Sequence, residues 1–317
     1  MSEQNNNWER EVLGKIAMAA VQEQRRARHW SIFFKALTFA YLFIVLFLFM
    51  GWRDGKTDGA LGGKHTALVE LNGVIASNSA ASADNIIGSL QDAFKDKNTQ
   101  GVILRINSPG GSPVQAGAIN DEMRRLRAKY PAIPLYVVVE DICASGGYYV
   151  AAAADKIYVD KASLIGSIGV LMDGFGFTGS MAKLGVERRL LTAGENKGFL
   201  DPFSPMEPKQ KEIAQKMLAE IHRQFIDVVK QGRGNRLKET PDTFSGLVWT
   251  GQKGIEMGLA DEMGSVESVA RDVIKTENIV DFTTHEGLAD RLAKKFGAGV
   301  ASVVPGFSSQ ANGVSLR

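Results

Sequence analysis

Hydrophobic and polar positions fall along this chain in blocks that predict strands and helices in alternation. Thr66–Leu71 (TALVEL) reads as a strand ending at Asn72–Gly73. Ser82–Phe94 places Ile86, Ile87, Leu90 and Phe94 on one helical face, with Asp84 near its start. Gly101–Ile106 (GVILRI) is a second buried strand, which breaks into Asn107–Ser112 (NSPGGS). Val114–Lys129 follows as a helix with Ile119, Met123 and Leu126 inward. The apolar, β-branched run Leu135–Val139 has the character of a strand buried on both faces. Glu140–Ala144 then leads to Ser145-Gly146-Gly147, the Ala-rich run Tyr148–Ala154 predicts a buried helix, and Lys156–Val159 a short strand. Further on, the pattern predicts a strand over Arg188–Thr192. A capping box at Ser204-Pro205-Met206-Glu207 opens a helix running to Lys230, which Gly232-Arg233-Gly234 ends. Ile213, Met217, Ile221, Phe225 and Val228 form its apolar face. Such alternation predicts α/β layers around a largely parallel sheet.

The first fifty residues follow another rule. Ala36–Trp52 carries no charge, and with Ile32–Phe34 it would span roughly 30 Å as a helix, about the thickness of a bilayer core. Trp30 and Trp52 sit where aromatic anchors belong, and Lys35 can snorkel. Arg25, Arg26, Arg28 and Lys35 precede or open the span, whereas Arg53 and Lys56 beyond it are offset by Asp54 and Asp58. The positive-inside rule then places residues 1–31 in the cytoplasm and the chain after the span outside it. The length of the run, and the lack of a small-x-small site after Trp52, favour an uncleaved anchor over a signal peptide. The expected organisation is a cytoplasmic segment 1–31, an anchor 32–52, a Gly-rich tether 53–65, a catalytic domain 66–275, and a C-terminal region 276–317. That last region is expected to hold an amphipathic helix over Glu286–Lys295 and a disordered Ser/Gly-rich tail over Ser302–Arg317.

Composition narrows the function classes. A chain of 317 residues, 44% hydrophobic, can bury a large core. A net charge of +2 gives no electrostatic pointer to nucleic acid. Cys143 is the single cysteine, and His29, His65, His222 and His285 are scattered, so neither an intrachain disulfide nor a metal motif is expected. There is no G-x-x-x-x-G-K-[ST], no G-x-G-x-x-G opens a helix after a strand with a suitable acid beyond, and no cofactor is expected.

Two glycine loops carry the candidate chemistry. Ser145, between a buried strand and a helix start, is well placed for covalent catalysis, because first-turn N–H groups can stabilise an oxyanion. It could equally be a helix cap beside a permissive turn. NSPGG ends the neighbouring strand and also exposes backbone N–H groups, although a plain turn at Pro109 explains it as well. Together the loops could meet on one carbonyl. A serine nucleophile needs a base, and the histidines are badly placed. A partly desolvated lysine can serve, and Lys197 on a Gly-flanked loop is one candidate among many lysines.

NSPGG, then DICASGGYY, then IGSIGV, then the Lys197 loop leading into SPME resembles the signal peptide peptidase A family. The likeness runs from Thr66 to Val273 and includes WTGQKGIEMGLADEMGS. It implies a membrane-anchored Ser–Lys peptidase with the Clp protease/crotonase-like fold, built of repeated ββα units. It implies Ser145 as nucleophile, Lys197 as general base, Ser167 as the hydroxyl that orients the lysine amine, and Gly110 with Gly146 as oxyanion-hole donors. It also implies remnant signal peptides and other apolar peptides as substrates. Longer members repeat the domain, and no repeat is visible here. A homo-oligomeric ring is therefore expected, with Lys197 able to approach the serine of a neighbouring copy. Competing readings are a silent membrane scaffold that presents a peptide groove, and a crotonase-like acyl hydrolase. A nucleophilic Cys143 is disfavoured, since apolar residues precede it and no cation adjoins it.

Overall fold

The computed structural model describes residues 2–53 and 63–284. Tether residues 54–62, His285, the expected helix Glu286–Lys295 and the tail Ser302–Arg317 lie outside the described residues. The chain divides into two compact units, Met1–Gly62 and Gly63–Arg317.

The first unit is one helix, α1 (Ser2–Arg53). Its stretch Val21–Leu46 is long and apolar enough to cross a membrane. Trp30, Phe33, Phe34, Phe39, Tyr41 and Phe43 are all more than half exposed, as lipid-facing side chains would be. The helix runs unbroken through the segment expected to precede the anchor, because no Gly-Pro or turn cluster interrupts Val21–Lys35.

The second unit is a mixed α/β domain. Its elements are β1 (His65–Asn72), α2 (Ala83–Lys95), β2 (Thr99–Ser108), α3 (Pro113–Lys129), β3 (Leu135–Ala144), α4 (Gly146–Ala151), β4 (Lys156–Val159) and β5 (Leu164–Gly166). There follow α5 (Thr178–Lys183), α6 (Pro208–Arg233), β6 (Val248–Thr250), α7 (Gly251–Glu256), β7 (Glu262–Met263), α8 (Val266–Ser268), which continues as a π-helical turn Val269–Ile274, and β8 (Ile279–Asp281). The sheet order is β6-β5-β3-β2-β1-β8, with β4 also on β3 and β7 on β4. Every pairing is parallel except β5 with β6.

Alternation along the strands sorts the core into two layers. Ala67, Val69, Leu71, Val102, Leu104, Ile106, Val137 and Val139 face α2, α3 and α4, and pack on Leu90, Phe94, Ile119, Met123, Tyr148 and Val150. Leu68, Ile103, Val138 and Tyr158 point the other way, onto Val266, Val269 and Ala270. Ser82 and Ser112 cap α2 and α3, accepting from Asn85 N and Gln115 N, and Pro113 opens the first turn of α3.

Three expectations are corrected. The third strand does not stop at Val139. Ile106 pairs with Val139 but Ser108 pairs with Cys143, so β3 spends four residues against two on β2 before ending at Ala144. That bulge carries the polar Glu140 and Asp141 and hides the strand from a hydrophobic pattern. Arg188–Thr192 is not a strand: its residues are exposed and pair with no strand of the sheet. The long helix begins at Pro208 with Glu207 as its cap, not at Ser204, whose hydroxyl instead donates to Asp201 Oδ2 at 2.7 Å. At the far end, Gly234 (φ 53°) supplies the cap, while Gly232 and Arg233 remain helical. The apolar face of α6 is only half covered: Phe225 and Val229 are buried, Met217 is 43% exposed.

Arg233 ties the end of α6 to the sheet. Its guanidinium is 1% exposed, donates to both Asp261 oxygens at 2.8 and 2.9 Å, and donates through Nε to the Gly258 carbonyl. Asp261 also accepts from Ile157 N at the start of β4 and from Arg236. Burial alone would raise the Asp261 carboxyl, but the hydrogen bonds and charge of Arg233 outweigh it and hold the group below the usual range. Asp261→Asn leaves a buried guanidinium unpaired and is expected to cost about 3–5 kcal/mol in urea unfolding. A carboxyl held below its unfolded value stabilises fully above about pH 4, and that contribution disappears as pH falls through the folded value. The stability gap between wild type and Asp261→Asn should therefore close on acidification, and a gap constant down to pH 2 would refute this account.

Candidate active site

The carboxyl ends of β2, β3 and β5 converge on one place. Ser145 lies between β3 and α4 with φ 51° and ψ −122°, a conformation that L residues rarely adopt and that costs about 1–3 kcal/mol. Its backbone N–H donates to the Gly166 carbonyl at 2.8 Å, which fixes the turn against the end of β5. Ser167, the next residue after β5, repeats the strain at φ 51° and donates its own N–H to the Leu247 carbonyl at 2.8 Å. Neither serine hydroxyl has a hydrogen-bond partner among the described residues, so both are available to a ligand.

The NSPGG loop presses on this turn from the β2 side. A Cβ on Gly110 would lie 2.6 Å from Gly146 N and 2.8 Å from Ser145 Cβ. A Cβ on Gly111 would lie 2.2 Å from the Ile75 carbonyl oxygen. The two glycines also have φ 99° and 150°, so position and conformation both demand glycine. Gly110 N–H is spent on Ser108 Oγ at 3.1 Å, and that hydroxyl in turn donates to the Gly73 carbonyl. Gly111 is different. Ile75 N donates to Gly110 O and Ser112 N to Ile75 O, a parallel bridge that turns the Gly111 amide outward. The Gly111 nitrogen lies 3.2 Å from where a Gly146 Cβ would sit. Free amides from Gly111 and from the first turn of α4 thus border the same spot, and Gly111 is the member of the glycine pair that the resemblance did not assign. Two adjacent glycines were visible; which amide is free depends on the bridge to Ile75.

Ser145, Gly146, Gly111 and Ser167 open into a cleft of about 1040 Å³. One wall is α3 (Val114, Gly117, Ala118, Asp121), the other is α6 (Ile221, Gln224, Phe225), and Tyr149 on α4 lies between them. Ser245 and Gly246, far along the chain, complete the rim, where Gly246 Cα would be 3.0 Å from a Gly169 Cβ. His222 donates through Nε2 to the Ile168 carbonyl (3.1 Å), which fastens α6 beside Ser167. Cys143 is fully buried away from this cleft, and burial pushes its thiol well above the usual range. His65 is buried at the start of β1, and His29 is exposed on α1.

Lys197 is placed elsewhere. It lies exposed in a turn closed by its N–H to the Gly194 carbonyl, and it does not line the cleft. It belongs to an arm, residues 170–207, that folds on itself. Phe177 N donates to Pro202 O, Phe177 stacks on Phe203 at 5.4 Å, and Arg188 pairs with Asp201. Glu195 pairs with Lys209 at the start of α6. The arm exposes Leu171, Phe175, Leu184 and Leu191, each at least 78%. A single copy of the chain thus assembles Ser145, Ser167 and the glycine amides, and leaves Lys197 apart.

A strained serine at a strand-to-helix turn, with unspent amides beside it, is suited to attack a carbonyl and hold the resulting oxyanion. A family model described as peptidase family S49 matches residues 127–280. That window contains Ser145, Ser167 and Lys197 and begins after the NSPGG loop. The chain is 34% identical over 230 residues to a candidate protease of Methanocaldococcus jannaschii, covering 69% of this chain and 73% of that one. It is 31% identical over 231 residues to the candidate signal peptide peptidase SppA of Enterococcus faecium, covering 70% and 67%. A 40% identical stretch of 247 residues also occurs in a Brucella melitensis protein named as the Na(+)/H(+) antiporter NhaA, covering 75% of this chain but 33% of that protein. The chain therefore spans only a third of the length of that relative. It belongs to peptidase family S49.

Relief of strain offers a test of the turn. Ser145→Gly is expected to raise the unfolding free energy by about 1 kcal/mol, since glycine adopts φ 51° freely. Gly110→Ala should lower it by about 1–3 kcal/mol. Equal stabilities of wild type and Ser145→Gly in thermal unfolding would mean that the turn is unstrained.

Proposed function

We propose that this protein is a membrane-anchored serine endopeptidase that uses a Ser–Lys dyad on remnant signal peptides and other apolar peptides. The observation that carries the reading is the strained Ser145, in one cleft with Ser167 and the outward Gly111 amide. Ser145 Oγ attacks the peptide carbonyl, and neutral Lys197 takes its proton and passes it to the leaving amine. Water, deprotonated by the same lysine, then releases the acyl group. Ser167 orients the lysine amine. Gly146 and Gly111 hold the oxyanion, with Gly111 taking the part first expected of Gly110.

A lysine acts as a base only when it is withdrawn from water. Lys197 is exposed in the single chain, so a second copy has to enclose it. The apolar side chains on its arm supply a surface that self-association would bury. The reading is a ring in which the arm of one copy delivers Lys197 to Ser145 of the next. The soluble domain, following the tether from about residue 66, lies on the extracytoplasmic side, and the cations before the span keep the N-terminus in the cytoplasm.

Full-length protein in detergent should cleave a fluorogenic apolar peptide, and Ser145→Ala or Lys197→Ala should each abolish turnover. Mixing the two inactive variants before assembly should restore part of the activity, since one neighbour pair in the mixture has both groups intact. Loss of activity in both with no recovery on mixing would confine the dyad to one chain, and an active Lys197→Ala would remove Lys197 from the mechanism. For orientation, protease added to spheroplasts should digest the soluble domain. Protection until lysis would reverse the topology.

A further inference from the structure

Among the described residues that line the Ser145 cleft, Asp121 alone carries a charge. It is exposed, and no ion pair neutralises it among the described residues. Arg124, one turn further along the same helix, donates to Asn120 Oδ1 at 2.8 Å and to the Val228 carbonyl rather than to Asp121. Asp121 follows Val114, Gly117 and Ala118 along one face of α3, the i, i+3, i+4, i+7 spacing of a single stripe. That stripe starts at the helix end beside Gly111, so Asp121 lies about 10 Å further down the wall. The intervening wall is apolar: Val114 and Ala118 on one side, Ile221 and Phe225 on the other, with the Tyr149 ring packed on Phe225 at 5.1 Å. Gly117 leaves space here, for even a Cβ on it would meet only the Tyr149 hydroxyl, at 4.0 Å. The Tyr149 phenol is raised by burial and then by the Asp121 charge, with Arg124 acting the other way.

We propose that Asp121 is a specificity-determining residue that makes this cleft select peptides with a lysine or arginine close to the bond being cut. Apolar walls ending in one unpaired carboxylate fit an aliphatic stem with a cationic head. The distance from the glycine amides is about three residues of extended peptide. This deepens the peptidase reading and rests on it. Peptides that combine an apolar run with basic residues, as signal peptides do, would meet both halves of the cleft.

The test is a panel of apolar fluorogenic peptides in which one residue, moved from three places before the cleaved bond to three after it, is Lys, Met or Glu. Full-length enzyme in detergent should favour Lys over Met at one position by about fivefold in kcat/KM, the scale of one solvent-accessible ion pair. Asp121→Asn should bring that Lys:Met ratio to about one, and Asp121→Lys should favour Glu instead. A ratio unchanged by both substitutions overturns the proposal while leaving the peptidase reading intact. Binding of the same labelled peptides to Ser145→Ala protein separates the two ideas. If nothing is cleaved but Lys peptides bind in an Asp121-dependent way, the catalytic reading falls and the charge selection stands. If Lys, Met and Glu peptides bind alike, the charge selection falls.

Discussion

The site depends on two backbone turns approaching closer than any side chain would allow. The Gly110–Gly111 loop lies against Ser145–Gly146 so tightly that a Cβ on Gly110 would overlap Gly146 N, while one on Gly111 would overlap the Ile75 carbonyl on the loop's other side. That contact lets the end of β2 support a serine at φ 51°, a conformation the chain would abandon if it were unsupported. The parallel sheet is what makes the contact possible. Parallel strands bring the carboxyl ends of β2, β3 and β5 to the same edge, so loops that follow each strand are neighbours although they are far apart in sequence.

Around this rigid edge the structure becomes progressively less self-sufficient. The sheet and α2–α4 bury a continuous core, and the buried Arg233–Asp261 pair fastens the end of α6 to β4. The first half of α6 and the arm before it leave large apolar side chains in water. Proteins rarely expose so much apolar surface without a use for it. In the proposed mechanism the use is assembly, since the proposed base lies on the exposed arm and the proposed nucleophile on the rigid edge. Catalysis and association would then be one event rather than two.

Much of the fold was legible because local rules and tertiary packing agree. The strands Thr66–Leu71 and Gly101–Ile106 and the helices over Ser82–Phe94 and Val114–Lys129 were readable from their patterns, since each buries a full face against the same core. Legibility failed where a segment answers to something outside itself. The end of β3 looked like a loop because a bulge sets Glu140 and Asp141 within it. Arg188–Thr192 looked like a strand because its pattern cannot reveal that no strand of the sheet pairs with it. Ser204 looked like a helix cap, but Asp201 takes its hydroxyl.

The sequence by itself determined the apolar N-terminal helix, the alternating α/β plan, the two glycine loops and the resemblance that singled out Ser145, Ser167 and Lys197. Those are properties of composition, spacing and local conformational preference, which a short stretch of chain carries with it. Only the tertiary structure decided that Gly111 rather than Gly110 has the free amide, because the parallel bridge to Ile75 and the hydroxyl of Ser108 assign those bonds. It alone brought Ser245 and Asp121 into the cleft of Ser145, and left Lys197 outside it. Such facts are set by contacts between residues distant in sequence, and no local pattern encodes them.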